Sequence, residues 1–149
     1  MGESGTHTEV NPADLSAIHQ LYGHQSHLID GGHATQWAQT FTADGVFVSP
    51  SYSAPVVGTD ALNEFAAAFY ANAAANGEVH RHVLTNIGVT RISDEEVTVA
   101  AYLQIVATRI GGDSRLVRFT TVTDRVVRAG GVWRIAQRAV SRDDRPGTS

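Results

Sequence analysis

The chain has 149 residues, of which 42% are hydrophobic and 17% charged, and its net charge is −4. This composition is typical of one globular domain, and the negative charge argues against nucleic acid or an anionic membrane as a partner. All eleven basic side chains are arginines and cysteine is absent. These two facts exclude lysine imine chemistry, thiol catalysis, disulfides and cysteine-based metal sites.

Three helices are predicted in the first half of the chain. The first begins after Asn11-Pro12, which combine an N-cap with proline at the first helical position, and it ends at Asp30 before a Gly-Gly pair. A short second helix is predicted over 33–41, then a short strand over 46–48 and a loop over 51–58. The third helix begins at Thr59 or Asp60 and ends before Asn76-Gly77.

The second half of the chain predicts strands. Four β-rich runs are separated by short turns and cover 79–92, 97–109, 115–128 and 132–141. Helices to one side of an antiparallel sheet make an α+β domain. We expect a single domain over 11–142 with flexible tails at 1–10 and 143–149. No leader or membrane-spanning run is evident, which predicts a cytoplasmic protein.

His80 and His82 lie one residue apart in the first long strand, so their side chains are expected on the same face. Such a pair could ligate a metal ion in an oxygenase. A stable site usually needs a third or fourth ligand, and no carboxylate follows within a few residues, so we predict no metal and no cofactor.

Asp30 is unusual because a carboxylate at a helix C-terminus faces the negative end of the helix dipole. Paired with a histidine it would form a proton-transfer unit, in which the carboxylate sets the tautomer and the imidazole accepts a proton. Tyr22, Tyr52 or Tyr102 could donate a hydrogen bond to a developing enolate or a leaving hydroxyl. Solvated side chains are the alternative for each of these residues.

Four segments together resemble the SnoaL-like domain of the nuclear transport factor two-like superfamily. In order they are LYGHQSHLIDGGHATQWAQTFTADGVFVSP, VVGTDALNEFAAAF, HRHVLTNIGV and GGVWRIAQRAV. The resemblance covers about residues 13–142. It implies a cone-like curved antiparallel sheet packed against three N-terminal helices and enclosing an apolar pocket.

Within this superfamily the chain looks most similar to the branch of scytalone dehydratase, hexachlorocyclohexane dehydrochlorinase and bile-acid dehydratase. The resemblance implies a catalytic dyad of Asp30 and His82. It also matches Asn86 and Arg138 to residues of the dehydrochlorinase. The lysine or tyrosine that two of these enzymes carry five residues before the aspartate is Gln25 here.

These observations predict a cofactor-independent dehydratase, polyketide cyclase or isomerase acting on a small, largely apolar ketone or polyketide-like molecule. The predicted substrate-binding side chains are Tyr22, Trp37, Phe47, Asn86, Tyr102 and Arg138. A non-catalytic ligand-binding or assembly module of the same fold, and a metal-dependent oxygenase using His80 and His82, are the alternatives. A homodimer is also expected, because sheet faces of this fold often pair.

Overall fold

Three helices and a six-stranded sheet form residues 9–144, the part of the chain that the computed structural model describes. The helices are α1 (Pro12–Asp30), α2 (Ala34–Ala38) and α3 (Thr59–Ala75). The strands are β1 (Phe41–Val48), β2 (Val56–Val57), β3 (Glu78–Ser93), β4 (Glu96–Arg109), β5 (Ser114–Ala129) and β6 (Val132–Arg142). Most of the predicted tails 1–10 and 143–149 falls outside the described residues.

The strands form one curved, open sheet in the order β2-β1-β6-β5-β4-β3. Every neighbouring pair is antiparallel except β1 and β6, which run parallel. Strands β3 to β6 follow one another both in sequence and in space, as short turns between antiparallel strands require. The predicted α+β class, with helices packed on one curved sheet, is confirmed.

Helix α1 has the start that its sequence predicts. The Asn11 side chain accepts a hydrogen bond from the backbone N–H of Asp14 at 2.9 Å, and Pro12 occupies the first helical position. A capping side chain satisfies one of the free N–H groups of the first turn. The helix ends at Asp30, as predicted.

The region after α1 differs from the prediction. The second helix stops at Ala38 and β1 already begins at Phe41, whereas the sequence predicted a helix to 41 and a strand from 46. The backbone N–H of Ile135 donates to the carbonyl of Thr40, and Phe41 pairs with Ile135 on β6. Pairing with a strand almost a hundred residues away therefore overrides the local helical pattern. The predicted loop 51–58 also contains the short edge strand β2.

The core lies between the helices and the concave face of the sheet. Helix α1 buries Ile18 and Tyr22, and α3 buries Leu62. Strand β4 buries alternate residues, including Val97 and Val99, which is the period expected when one face of a strand is covered. None of the helices in residues 9–144 is long and apolar enough to cross a membrane.

Candidate active site

Asp30 and His82 meet where α1 ends beside β3. The Asp30 Oδ1 atom lies 2.7 Å from His82 Nδ1. The backbone N–H of His82 also donates to the Asp30 carboxylate, 3.0 Å from Oδ2 and 3.2 Å from Oδ1. Side-chain exposure is 8% for Asp30 and 13% for His82, so both groups are largely withdrawn from solvent. Strand β3 thus presents both its backbone and a side chain to one carboxylate.

These contacts explain how a carboxylate is tolerated at the C-terminus of a helix. Two donors of His82 face Asp30 and offset the unfavourable end of the helix dipole. An ionised carboxylate only accepts hydrogen bonds, so the proton of a neutral His82 ring belongs on Nδ1. The other ring nitrogen, Nε2, is then left with a lone pair that can accept a proton.

Phe69 packs on the histidine ring from the opposite helix. Its ring centroid lies 4.9 Å from that of His82 and 5.4 Å from that of His80. Residue Phe69 belongs to α3, so the imidazole of His82 is held between two helices. A ring fixed by a carboxylate on one side and an aromatic contact on the other is oriented before any ligand binds.

His82 lines a cavity between the helices and the sheet. The cavity has a volume of about 40 Å³. Its apolar lining is Ile29, Trp37, Phe47, Phe65, Phe69, Leu84, Leu103, Ile105 and Val140, and its polar lining is Gln25, Ser26, Ser49, Tyr52, His82, Arg118, Thr120 and Arg138. A volume of this size holds only a few water molecules, so an organic ligand requires lining side chains to rotate. Tyr52, which is 37% exposed, stands at the solvent edge.

Three of the predicted substrate-binding residues line this cavity. Trp37 and Phe47 contribute aromatic walls from α2 and β1, and both pack against Phe65 of α3. Arg138 contributes a cation from β6. The apolar pocket expected from the resemblance is therefore present, with these three residues in its wall.

Tyr22, another predicted substrate-binding residue, is absent from the lining of this cavity. Its hydroxyl donates a hydrogen bond to Asp124 Oδ2 in the core. Arg138 binds the same carboxylate, with Nη2 2.8 Å from Oδ2 and Nε 3.0 Å from Oδ1. Tyr22 and Asp124 are 102 residues apart, which is why the local sequence gave no sign of this contact.

The pKa values of Tyr22 and Arg138 in this buried triad are both raised. Burial first, and the Asp124 carboxylate second, raise the pKa of the Tyr22 phenol well above its usual value. Burial opposes the charge of Arg138, yet Asp124 outweighs it and raises the pKa of the guanidinium. The triad therefore consists of a neutral phenol, a carboxylate and a cation whose guanidinium also borders the cavity.

Asn86 and Tyr102, also predicted to bind substrate, are both exposed and lie outside the lining of this cavity. Asn86 has φ 54° and lies where the pairing of β3 with β4 shifts register, between Thr85 and Gly88. Such a bulge breaks the alternation that would have placed Asn86 on the face of His82. Tyr102 lies between the buried residues Ala101 and Leu103, so it points to the outer face of the sheet.

Gln25 and Asp124 are two of the buried polar residues that the sequence prediction missed, beside Ser49 and Thr120. Gln25 is 1% exposed and lines the cavity, and Asp124 is fully buried. In each case the sequence shows a polar residue at a position whose neighbours on the same face of the helix or strand are apolar. Gln25 shares the buried face of α1 with Tyr22 and Ile29, and Asp124 stands between Val122 and Val126.

His80 belongs to a separate polar cluster. Its Nε2 lies 3.1 Å from Glu78, and Glu78 also binds Arg115 at 2.5 Å. Within residues 9–144, no group of three or more histidine, aspartate or glutamate side chains is arranged to hold a metal ion. The two histidines thus take part in different contacts, His82 with Asp30 and His80 with Glu78.

Comparison with known proteins agrees with this architecture. The family model described as a SnoaL-like domain matches residues 12–139. A search of curated proteins found no match to this chain.

Solved structures share the fold over nearly the whole chain. Aln2 from a Streptomyces species is 27% identical, with 91% of this chain and 94% of that chain covered and a TM-score of 0.83. A Catenulispora acidiphila protein solved in complex with S-DNPA is also 27% identical, with 93% and 100% covered and a TM-score of 0.78. ActVI-ORFA from Streptomyces coelicolor, at 23% identity, coverage of 89% and 97% and a TM-score of 0.79, shares the fold.

Proposed function

Because the chain belongs to the SnoaL-like domain family, we propose that it is a cofactor-independent acid–base enzyme with Asp30 and His82 as its catalytic dyad. The observation that carries this proposal is the 2.7 Å contact between Asp30 Oδ1 and His82 Nδ1 at the wall of a largely apolar cavity. A base oriented by a carboxylate in a site shielded from water is the arrangement that general base catalysis needs.

The proposed substrate is a small, largely apolar ketone or polyketide-like molecule. Aromatic and aliphatic side chains form most of the cavity wall, which favours a ligand with rings or methylene groups. The relative from Catenulispora acidiphila was solved in complex with S-DNPA. We propose that the cavity of this chain binds its ligand in a comparable way.

In the proposed mechanism His82 Nε2 removes a proton from the carbon next to the ketone. The electrons of the broken C–H bond move to the carbonyl oxygen and form an enolate. We assign the stabilisation of that negative charge to Arg138, a cation in the cavity wall. Asp30 keeps the proton on Nδ1 and stabilises the imidazolium that forms.

The fate of the enolate decides the reaction class. A substrate with a hydroxyl group on the next carbon expels it, and the proton held by His82 completes a water molecule, so the overall reaction is dehydration. In a substrate with a C=C bond conjugated to the enolate, return of the proton to the far carbon of that bond gives isomerisation. Attack by the enolate carbon on a second carbonyl of the same molecule gives cyclisation, with the proton held by His82 going to the new alkoxide oxygen. All three outcomes use the same first step.

That first step can be tested without the natural substrate. The probe is 1-tetralone in D₂O, with deuterium uptake next to its carbonyl followed by NMR. We expect the wild-type protein to accelerate uptake over buffer and His82→Ala to lower the enzymatic rate by about 100-fold or more. His19→Ala, at an exposed histidine of α1, is the matched control and should match the wild type. Undiminished exchange by His82→Ala would refute the mechanism, and no exchange by the wild type would favour a binding module.

A further inference from the structure

Gln25 carries a buried hydrogen-bond acceptor that the dyad does not use. The side chain is 1% exposed and lines the cavity. No donor within residues 9–144 reaches its Oε1 atom. A buried carbonyl oxygen without a donor is costly, and protein interiors rarely contain one.

The orientation of the Gln25 amide follows from its neighbour Thr40. The Thr40 hydroxyl donates to the carbonyl of Trp37 at 2.6 Å, and Gln25 Nε2 lies 2.8 Å from the same hydroxyl oxygen. A hydroxyl has one proton, so the Thr40 oxygen can only accept from Gln25. The amide NH₂ of Gln25 must therefore face Thr40, which leaves Oε1 as the side-chain atom without a donor among residues 9–144.

We propose that Gln25 is a specificity-determining residue whose Oε1 accepts a hydrogen bond from a hydroxyl group of the ligand. The ligand is then a hydroxylated, largely apolar molecule, and a ligand carbonyl or ether oxygen is disfavoured at this position. This inference rests on the proposed function only in placing the ligand inside the cavity.

Gln25 and the dyad lie at different points along α1, since Gln25 precedes Asp30 by five residues, or about 7.5 Å along the helix axis. The hydroxyl that Gln25 binds and the carbon that faces the dyad are therefore expected at different positions of the same ligand. The aromatic residues Trp37, Phe47 and Phe65 provide the apolar surface around them.

The test compares two ligands that differ in one hydrogen-bond donor. The probes are 4-ethylphenol and its methyl ether, 4-ethylanisole, with binding measured by isothermal titration calorimetry. We expect the wild-type protein to bind the phenol about tenfold more tightly than the ether. Gln25→Met keeps the length of the side chain without the acceptor and should bring the two affinities within about twofold.

Control variants separate this role from other effects. Gln20→Met changes an exposed glutamine on the same helix and should retain the tenfold preference. Thr40→Val removes the group that orients the amide, and we expect the preference to fall severalfold even if Gln25→Met does not fold. This experiment measures binding and the exchange experiment measures proton removal by His82, so the two can fail independently. Equal binding of both compounds by the wild type, binding of neither, or an unchanged preference in Gln25→Met would overturn the proposal.

Discussion

Asp30 accepts hydrogen bonds from both the backbone and the ring of His82, so a change at this one residue should alter the tautomer of the proposed base. Asp30→Asn keeps the size of the side chain, but its amide can donate and so can favour the proton on Nε2. We expect deuterium exchange into 1-tetralone to fall by about 100-fold, measured by NMR.

This variant should fold like the wild type, because the substitution only replaces one side-chain oxygen by an NH₂ group. Circular dichroism in the near ultraviolet serves as the control and should match that of the wild type. Exchange at the wild-type rate in a folded Asp30→Asn protein would show that the carboxylate does not orient the base.

Asp124 should matter for stability more than any exposed carboxylate. It is fully buried and binds both Tyr22 and Arg138, so Asp124→Ala leaves a buried cation unpaired. We expect the free energy of unfolding to drop by about 3–5 kcal/mol, measured by urea denaturation. Asp94→Ala removes an exposed carboxylate paired with Arg91 and should lower stability far less than Asp124→Ala. Similar losses in the two variants would contradict the structural role of the triad.

Individual site residues differ in how far the sequence could identify them. Asp30 stands out through its position at a helix end, and its match to a known family motif adds His82. Gln25 and Asp124 interrupt apolar rows, a visible signal whose meaning depends on partners elsewhere in the chain. Asn86 could not be placed, because a bulge reverses the side to which its part of the strand points.

Among the elements, the turn from α1 into α2 depends on Gly32. Its φ is 82°, and a Cβ atom there would lie 3.0 Å from the ring of Tyr70 on α3. We expect Gly32→Ala to lower the free energy of unfolding by about 1–2 kcal/mol, because the backbone becomes strained and the ring must move. Thermal or urea unfolding measures this change.

Gly23 is the matched control for that substitution. It lies exposed within α1, and a Cβ atom would meet nothing within 4 Å. Gly23→Ala should therefore stabilise the protein by about 0.5–1 kcal/mol. We therefore expect the two substitutions to change the free energy of unfolding in opposite directions, and a stabilising Gly32→Ala would contradict this expectation.

Strand β3 begins with a carboxylate whose charge links it to β5. The hydrogen bond from Arg115, followed by that from His80, lowers the pKa of Glu78 from 4.5 to about 2. The folded protein thus keeps Glu78 charged at a pH where the unfolded chain protonates it. The stability contributed by this contact is present above pH 4.5 and is lost as the pH falls toward 2.

We therefore expect Glu78→Gln to have a shallower loss of stability than the wild type between pH 4.5 and 2. Urea unfolding at several pH values measures this difference. Arg115→Gln removes the main cause of the lowered pKa and should flatten the profile in the same direction. Parallel profiles for all three proteins would show that the contact does not contribute.

At the scale of the whole molecule, we propose the outer face of the sheet as the surface of the expected homodimer. Val83, Tyr102 and Phe119 on β3, β4 and β5 are each between 37% and 45% exposed, and the rings of Tyr102 and Phe119 are 6.0 Å apart. Exposed apolar side chains grouped on one face favour association. We expect the protein to sediment as a dimer and Phe119→Glu to sediment as a monomer in analytical ultracentrifugation. A monomeric wild type would refute this prediction.

The fold class and the extent of most elements were determined by the sequence itself. Several features act over only a few residues and can be recognised locally. They are the capping residues, the apolar periods of two helices, the alternation along β4 and the glycine-containing turns. The family resemblance then assigned Asp30 and His82 to one site. Their 2.7 Å contact agrees with that assignment, while their catalytic role stays a prediction.

Only the tertiary structure decided which groups meet across the chain. In the folded chain β1 begins at Phe41, which pairs with Ile135. The Tyr22 side chain binds Asp124 in a triad away from the expected site, and Gln25 is an unsatisfied acceptor beside the cavity. These outcomes depend on strand register and on packing between residues about a hundred positions apart. Such contacts form only when the whole core closes, and the local sequence carries no period or motif that encodes them.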